Sequence, residues 1–171
     1  MQAAGHVVLF VDYVGRRMQT NCAHVSQGEV SSDFEAATWV GKQSGVDAGR
    51  ISVIGWSYGG GGVLAALKAM PKPPLITKVV LYYPVCRGAG AWSADVASLM
   101  LLGQNDDIAL PVLCEAVARE ASPEKLHVIV YPNARHGFDM RNLPDRPDPP
   151  TGSPATTPMQ RMNRGRRSGS S

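Results

Sequence analysis

Short apolar runs alternate with segments of helical periodicity through the first 140 residues, and this alternation limits the possible folds more than any other feature. The run VVLFV at residues 7–11 is typical of a strand that is buried on both faces of a parallel sheet. Five such runs separated by helical segments predict an α/β fold whose sheet is mostly parallel. Ser31, Ser32 and Asp33 are predicted to cap the first helix. The predicted strands are residues 7–11, 51–54, 77–83, 97–102 and 126–131, and the predicted helices are residues 32–42, 60–70 and 111–120.

The chain divides into a body and a tail of different composition. With 171 residues, 44% of them hydrophobic and 18% charged, it has the size and composition of one globular domain. Residues 141–171 contain six of the 13 prolines and end in RGRRSGSS, so they are predicted to form a disordered tail after a domain at 1–140. The six tail arginines lack the interleaved aromatic residues of a nucleic-acid-binding segment, so no nucleic-acid partner is expected.

The compartment and the state of the cysteines are predicted from the length of the apolar stretches, the N-terminal residues and the cysteine spacing. No stretch reaches the length of about 18 apolar residues that a membrane span needs, and the N-terminus lacks the zones of a signal peptide. The sequence therefore predicts no membrane association and a cytoplasmic location. Cys22, Cys86 and Cys114 share no C-x-x-C spacing, which argues against a metal site. One pair with one cysteine left over is an alternative, but three free thiols are favoured without an export signal.

The sequence GWSYGG at residues 55–60 matches the pattern G-x-S-x-G and lies between a predicted strand and a predicted helix. This context is typical of a nucleophile elbow, where a tight turn lifts a serine above the sheet and excludes side chains two residues away. Gly55 and Gly59 occupy those two places, and Ser57 is the predicted nucleophile. A glycine-rich loop before a helix, without a catalytic function, is the alternative interpretation.

The residues on either side of Ser57 are candidates for supporting roles. The backbone N–H of Tyr58 is predicted to face a developing oxyanion at the N-terminus of the next helix. The side chains of Trp56 and Tyr58 are candidates for lining a substrate pocket, although aromatic residues beside such a turn serve as often in packing.

A serine nucleophile needs a base and an acid that orients the base, and the expected chain order is serine, acid, histidine. Asp106 is the predicted acid because it follows a strand at the edge where sites of open α/β folds gather, and Asp107 is the alternative. His136 follows the last predicted strand and is the predicted base. A structural or solvated histidine is the alternative there. That interpretation is favoured for the other histidines, which are His6, His24 and His127.

Together these residues resemble the serine-containing branch of the dienelactone hydrolase family of α/β-hydrolases, over residues 3–140. The resemblance implies a three-layer α/β-hydrolase sandwich in which Ser57, Asp106 and His136 stand at the triad positions. The implied activity is hydrolysis of a small-molecule carboxylic ester or lactone, without a metal or another cofactor. The matching segments are AGHV through VD at 4–12, GVDAGRI at 45–51 leading into GWSYGG, YPVC at 83–86, GQNDD at 103–107, and YP through HGF at 131–138.

This sequence also departs from the family that it resembles. Members normally carry further strands, including one that lies between the counterparts of residues 7–11 and 51–54, and the loop after it supplies a second oxyanion donor. No segment here matches that strand, and the tail stands in the place of a closing helix. An inactive truncated pseudoenzyme or fragment is therefore one alternative, and an acyltransferase or peptidase with the same triad is another. Both a monomer and a homodimer are compatible with the sequence.

Overall fold

The chain folds as an α/β protein with a parallel sheet, which confirms the predicted fold class. The computed structural model describes residues 4–141, without the side chains of Ala23 and Asp33. Most of the predicted tail at 141–171 lies outside the described residues. The elements in this range are α1 (Gln27–Ser32), α2 (Ala36–Val40), β1 (Ile51–Trp56), α3 (Ser57–Ala69), β2 (Ile76–Tyr82), β3 (Ala97–Gly103), α4 (Pro111–Ala118) and β4 (Leu126–Tyr131).

The four strands form one sheet in the order β1-β2-β3-β4, and every neighbouring pair is parallel. Residues paired across the sheet point to the same face, so the register lines up Leu81, Met100 and Val128. Leu81 and Met100 are fully buried, and they share one core with Leu64 and Leu67 of α3. Because all strands run the same way, their carboxyl ends lie at one edge of the sheet, where loops of such folds carry sites.

The strand predicted at residues 7–11 is wrong, and the sheet has four strands in the described range instead of five. This segment takes no regular structure, and the Phe10 side chain is 85% exposed. An apolar run becomes a strand only when a neighbour accepts its backbone hydrogen bonds. Among the strands of residues 4–141, β1 pairs with β2 alone, so β1 lies at an edge and no described strand joins it to residues 7–11.

The prediction of one helix at residues 32–42 is wrong, because two shorter helices with a 3₁₀ turn between them occupy this region. The first of them, α1, begins before residue 32 because a capping box precedes it. The Ser26 backbone N–H donates to Glu29 Oε2 at 2.8 Å, and the Glu29 N–H donates to Ser26 Oγ at 3.2 Å. Ser31 and Ser32 lie inside α1, where their hydroxyls donate to the carbonyls of Gly28 and Glu29 instead of capping a later helix.

Helix α3 begins at Ser57, three residues before its predicted start. The run of glycines at 59–62 disfavours a helix by intrinsic propensity, which explains the later predicted start. Tertiary packing requires that run, because a Cβ on Gly62 would lie 2.1 Å from Val30 Cγ1 of α1. The small residues therefore allow α1 to pack closely on the helix that follows the G-x-S-x-G motif.

The prediction of three free thiols is wrong, because Cys86 and Cys114 form a disulfide. These residues are 28 positions apart in sequence, and their Cα atoms are 5.1 Å apart. The loop after β2 carries Cys86 and α4 carries Cys114, so only the fold brings the two sulfur atoms together. Cys22 is a free, exposed cysteine.

Among residues 4–141, none of the helices has the length and apolar character that a membrane span requires.

Candidate active site

Ser57 lies at the junction of β1 and α3, where the backbone makes a sharp turn. Its φ of 47° is in the left-handed region, which non-glycine residues adopt rarely and mostly where function requires the strain. A Cβ at Gly55 would lie 2.8 Å from the Gly60 Cα, so the turn tolerates no side chain there. This close approach is the physical reason for the glycine two residues before the serine.

The side chains of Ser57, Asp106 and His136 form one hydrogen-bonded chain. His136 Nε2 lies 2.8 Å from Ser57 Oγ, and His136 Nδ1 lies 2.8 Å from Asp106 Oδ2. A neutral imidazole with its proton on Nδ1 donates to the carboxylate and leaves Nε2 to accept from the serine hydroxyl. The fold thus brings together three residues that the sequence places after three different strands.

The Asp106 carboxylate is held by its own loop. Its Oδ1 accepts hydrogen bonds from the backbone N–H groups of Ile108 at 2.9 Å and Ala109 at 2.8 Å, which leaves Oδ2 for His136. Asp106 is only 4% exposed, whereas Asp107 is exposed. The carboxylate next to the imidazole therefore belongs to Asp106.

The acid loop and the histidine loop touch through their backbones. The Asn105 N–H donates to the Ala134 carbonyl at 2.9 Å, and the Gln104 N–H donates to the Tyr131 carbonyl at 3.0 Å. Gly103 ends β3 at this contact, and a Cβ on it would lie 2.6 Å from the Ala134 carbonyl oxygen. These contacts set the distance between Asp106 and His136.

Replacing Gly103 with alanine is expected to lower the free energy of unfolding by about 1–3 kcal/mol, because the added methyl group overpacks a backbone contact. The histidine loop is expected to move away from the acid loop, which weakens the Asp106–His136 hydrogen bond. Denaturant unfolding checks the stability, with Gly28→Ala as a control at a helical position where the nearest atom to an added Cβ, Ser26 Oγ, lies 3.9 Å away. A Gly103→Ala protein as stable as the unmodified chain would contradict the prediction.

Tyr58 and Trp56 flank the serine in different environments. Tyr58 is the second residue of α3, so its backbone N–H has no partner within the helix and lies at the positive end of the helix dipole. Its side chain donates from the hydroxyl to the Val25 carbonyl at 2.6 Å. Trp56 is 37% exposed and stacks on Tyr82 with ring centroids 5.6 Å apart. The Trp56 ring therefore has a stacking partner, and the Tyr58 hydroxyl has a hydrogen-bond partner.

The segment after β2 contacts the site, although the sequence analysis gave it no role there. The Val85 N–H donates to the Ser57 carbonyl at 3.0 Å, and Gln27 Nε2 donates to the Val85 carbonyl at 3.0 Å. The ring of Tyr83 lies 4.6 Å from the imidazole of His136, centroid to centroid. The motif YPVC marks this segment in the sequence, but nothing local indicates that it folds against the serine.

Tyr13 places a further aromatic ring beside the start of α3. Its Cε1 atom lies 3.6 Å from the position that a Cβ on Gly59 would take. Burial raises the pKa of the Tyr13 phenol, and the nearby Cys22 and Tyr58 raise it further.

Within the described part of the chain, no three histidine, cysteine or acidic side chains are grouped as metal ligands would be.

Comparisons with known proteins agree with this architecture. A family model described as the dienelactone hydrolase family matches residues 12–153. Acetyl xylan esterase 1 from Thermoanaerobacterium sp. JW/SL YS485 is 20% identical, with a TM-score of 0.52 over 78% of this chain and 56% of that one. An alpha-beta serine hydrolase homologue from Coxiella burnetii is 15% identical, with a TM-score of 0.51 over 77% of this chain and 55% of that one.

A further similarity is to a longer chain, of which this chain covers a smaller share. A puromycin-hydrolyzing peptidase from Mycobacterium tuberculosis is 18% identical, with a TM-score of 0.52 over 64% of this chain and 22% of that one. No curated protein sequence matches significantly. At these identities the solved structures show a shared fold, and the chain spans between a fifth and just over half of their lengths.

Proposed function

Because the chain belongs to the dienelactone hydrolase family, we propose that it is a serine hydrolase that cleaves carboxylic esters or lactones. The observation that carries the proposal is the hydrogen-bonded chain from Ser57 through His136 to Asp106, with both contacts at 2.8 Å. This arrangement activates a hydroxyl that is a weak nucleophile by itself. The left-handed backbone at Ser57 adds support, because it presents Oγ at the edge of the sheet.

In the acylation step, Ser57 Oγ attacks the carbonyl carbon of the ester while His136 Nε2 takes the hydroxyl proton. Asp106 keeps the other proton on Nδ1 and stabilises the imidazolium that forms. The backbone N–H of Tyr58 donates to the developing oxyanion, which also lies near the positive end of α3. His136 then gives its proton to the leaving alkoxide, and the alcohol departs from the acyl-enzyme.

In the deacylation step, the same groups act on a water molecule. His136 Nε2 takes a proton from the water as its oxygen attacks the acyl carbon, and the proton passes to Ser57 Oγ when the acid is released. With a lactone, the first step leaves the alcohol attached to the acyl chain, so both functional groups leave together in the second step.

An inactive fragment is a second candidate function, and two observations favour it. Among residues 4–141, no strand pairs with residues 7–11, and β2 is the one strand that pairs with β1, which leads into the proposed nucleophile. The chain also spans only 55% and 56% of two of the α/β-hydrolases that it resembles in structure. In this alternative the triad geometry persists, but turnover is slow because a second oxyanion donor is missing and the transition state is poorly stabilised. Loss of one such donor typically lowers turnover about 10²–10³-fold.

Peptide hydrolysis and acyl transfer use the same triad as ester hydrolysis. Peptide hydrolysis has an amine as its leaving group, and acyl transfer has an acceptor other than water. One structural relative is a peptidase that hydrolyses puromycin, although a shared fold does not fix the substrate. Parallel assays with an ester and an amide of the same acid separate the first of these from esterase activity. Added alcohol nucleophiles reveal acyl transfer as a new ester product.

Stoichiometric labelling with a fluorophosphonate tests the proposed nucleophile without a known substrate. The reagent phosphonylates only an activated serine, so we expect one adduct per chain, mapped to the peptide that contains Ser57. The Ser57→Ala protein is expected to remain unlabelled. Ser93→Ala is the matched control, because Ser93 lies in the loop after β2 and has no place in the proposed triad.

The outcomes separate the two main candidates. Labelling at Ser57 followed by turnover of small esters or lactones supports the proposed hydrolase. A cooperatively folded chain that takes up no label would show that Ser57 is not activated, and the inactive-fragment alternative would replace the proposal.

A further inference from the structure

Tyr83 combines complete burial with an unusual backbone conformation. Its φ is 35°, in the left-handed region, and its side chain is 0% exposed. A bulky aromatic residue adopts this conformation only where surrounding contacts impose it, and such positions gather at functional sites. The contacts are present here, because the Tyr83 N–H donates to the Leu101 carbonyl at 2.8 Å and the next residues bind the serine turn.

This conformation directs the Tyr83 ring at the imidazole of His136. The two ring centroids are 4.6 Å apart, and the planes are tilted by 58°. Phe138 also packs on the Tyr83 ring, in an edge-to-face contact with ring centroids 5.3 Å apart. Contacts of this kind between rings are directional, so they restrict orientation as well as excluding water.

The imidazole needs a restraint of this kind. His136 lies in a loop, where regular backbone hydrogen bonds do not fix its position. The hydrogen bonds to Asp106 and Ser57 hold its two nitrogens. They do not by themselves stop the ring from tilting away from the line that joins the Asp106 carboxylate to the Ser57 hydroxyl, so other contacts must restrain this tilt. A tilted imidazole no longer points its Nε2 lone pair at the Ser57 hydroxyl, and small misalignments of this kind slow proton transfer.

We infer that Tyr83 is a positioning residue for the proposed base, because its strained backbone presents an aromatic ring that fixes the tilt of the His136 imidazole. The inference rests on the proposed hydrolase function. It assigns the role to the ring of Tyr83 and not to its hydroxyl, and it places the residue outside the group that touches the substrate.

The test compares Tyr83→Leu with Tyr83→Phe in ester hydrolysis. Tyr83→Leu is expected to lower kcat by about 10- to 100-fold with little change in KM, because the base is misaligned while substrate contacts remain. Tyr83→Phe keeps the ring and is expected to stay within about threefold of the unmodified chain. Tyr131→Leu is the matched control, since the ring of Tyr131 packs on Phe138 at 5.0 Å, whereas the ring against the imidazole is that of Tyr83.

A second readout does not depend on turnover. The proton between His136 Nδ1 and Asp106 gives a downfield NMR resonance when the imidazole is held in place. We expect this resonance in the unmodified chain and in Tyr83→Phe, and we expect it to be lost or broadened in Tyr83→Leu. If the unmodified chain shows the resonance but hydrolyses no ester, the proposed function fails while the positioning role is still tested by this comparison.

Three results would overturn the inference. These are an unchanged kcat and resonance in Tyr83→Leu, an equal loss in Tyr83→Phe, and an equal loss in Tyr131→Leu. The second would assign the role to the hydroxyl, and the third would indicate general aromatic packing. If Tyr83→Leu does not melt cooperatively, Tyr83→Met replaces it. The flexible methionine side chain fills irregular space in a core and has no ring.

Discussion

Replacing Asp106 with asparagine is expected to lower kcat for ester hydrolysis by about 10⁴-fold while leaving the fold intact. Asparagine keeps a carbonyl oxygen for the N–H groups of Ile108 and Ala109, which now bind the Asp106 carboxylate at 2.9 and 2.8 Å. Its amide then faces His136 with a donor. The imidazole must accept at Nδ1 and carry its proton on Nε2, so it can no longer take the proton of Ser57.

Asp107→Asn is the matched control for this prediction, because it makes the same chemical change at the next residue. Asp107 is exposed and is not the carboxylate against His136, so its substitution is expected to change kcat by less than about threefold. Steady-state kinetics and thermal melting of both proteins check the result. If Asp107→Asn were the more damaging change, the acid of the proposed triad would be Asp107.

Replacing both Cys86 and Cys114 with alanine is expected to lower the free energy of unfolding by about 3–4 kcal/mol. The disulfide closes a loop with a sequence separation of 28, and cross-linking a loop of that size restricts the unfolded chain. Both residues are buried, so their removal also loses packing between the loop after β2 and α4. Denaturant unfolding of the two proteins under non-reducing conditions measures the difference.

Cys22→Ala is the control for the disulfide prediction, because Cys22 is exposed and free. It is expected to leave the unfolding free energy unchanged within about 0.5 kcal/mol. Thiol titration of the denatured chain is expected to find one thiol without reductant and three with it. Three thiols without reductant would contradict the disulfide.

The disulfide also bears on the compartment. Structural disulfides persist mainly in oxidising compartments, whereas the sequence without an export signal predicts a cytoplasmic location. The cytoplasmic location stays a prediction. Measuring the thiol state of the protein as isolated from its native cells, with rapid alkylation at lysis, tests both points together.

Strands β2, β3 and β4 were predictable because their signal is local. β4 matches its predicted range of 126–131, and β2 and β3 match theirs within one residue at each end. Each is a short apolar run in a parallel sheet, so its own side chains carry the evidence for burial on both faces. The run at residues 7–11 has the same composition but no neighbour in the sheet, and composition does not report a neighbour.

The candidate site was predictable as a set of residues. Ser57 follows from the G-x-S-x-G pattern between a strand and a helix, and Asp106 and His136 follow from their places after later strands. The supporting contacts were not predictable. Neither the G-x-S-x-G pattern nor the chain order of the triad indicates a role for Tyr83, Val85 or Gln27. Each makes a contact that forms only once the loops have folded.

Local sequence patterns were enough to predict the α/β class, the order of the elements from residue 51 onward and the residue types that chemistry requires. Periodicity, turn glycines and motif spacing are properties of neighbouring residues. Which remote residues meet depends on the assembled fold. It paired Cys86 with Cys114, set His136 between Ser57 and Asp106, placed the ring of Tyr83 against the imidazole, and left residues 7–11 without a strand partner. These outcomes depend on distances between segments that are remote in sequence, and those distances exist only when the sheet and its loops are assembled.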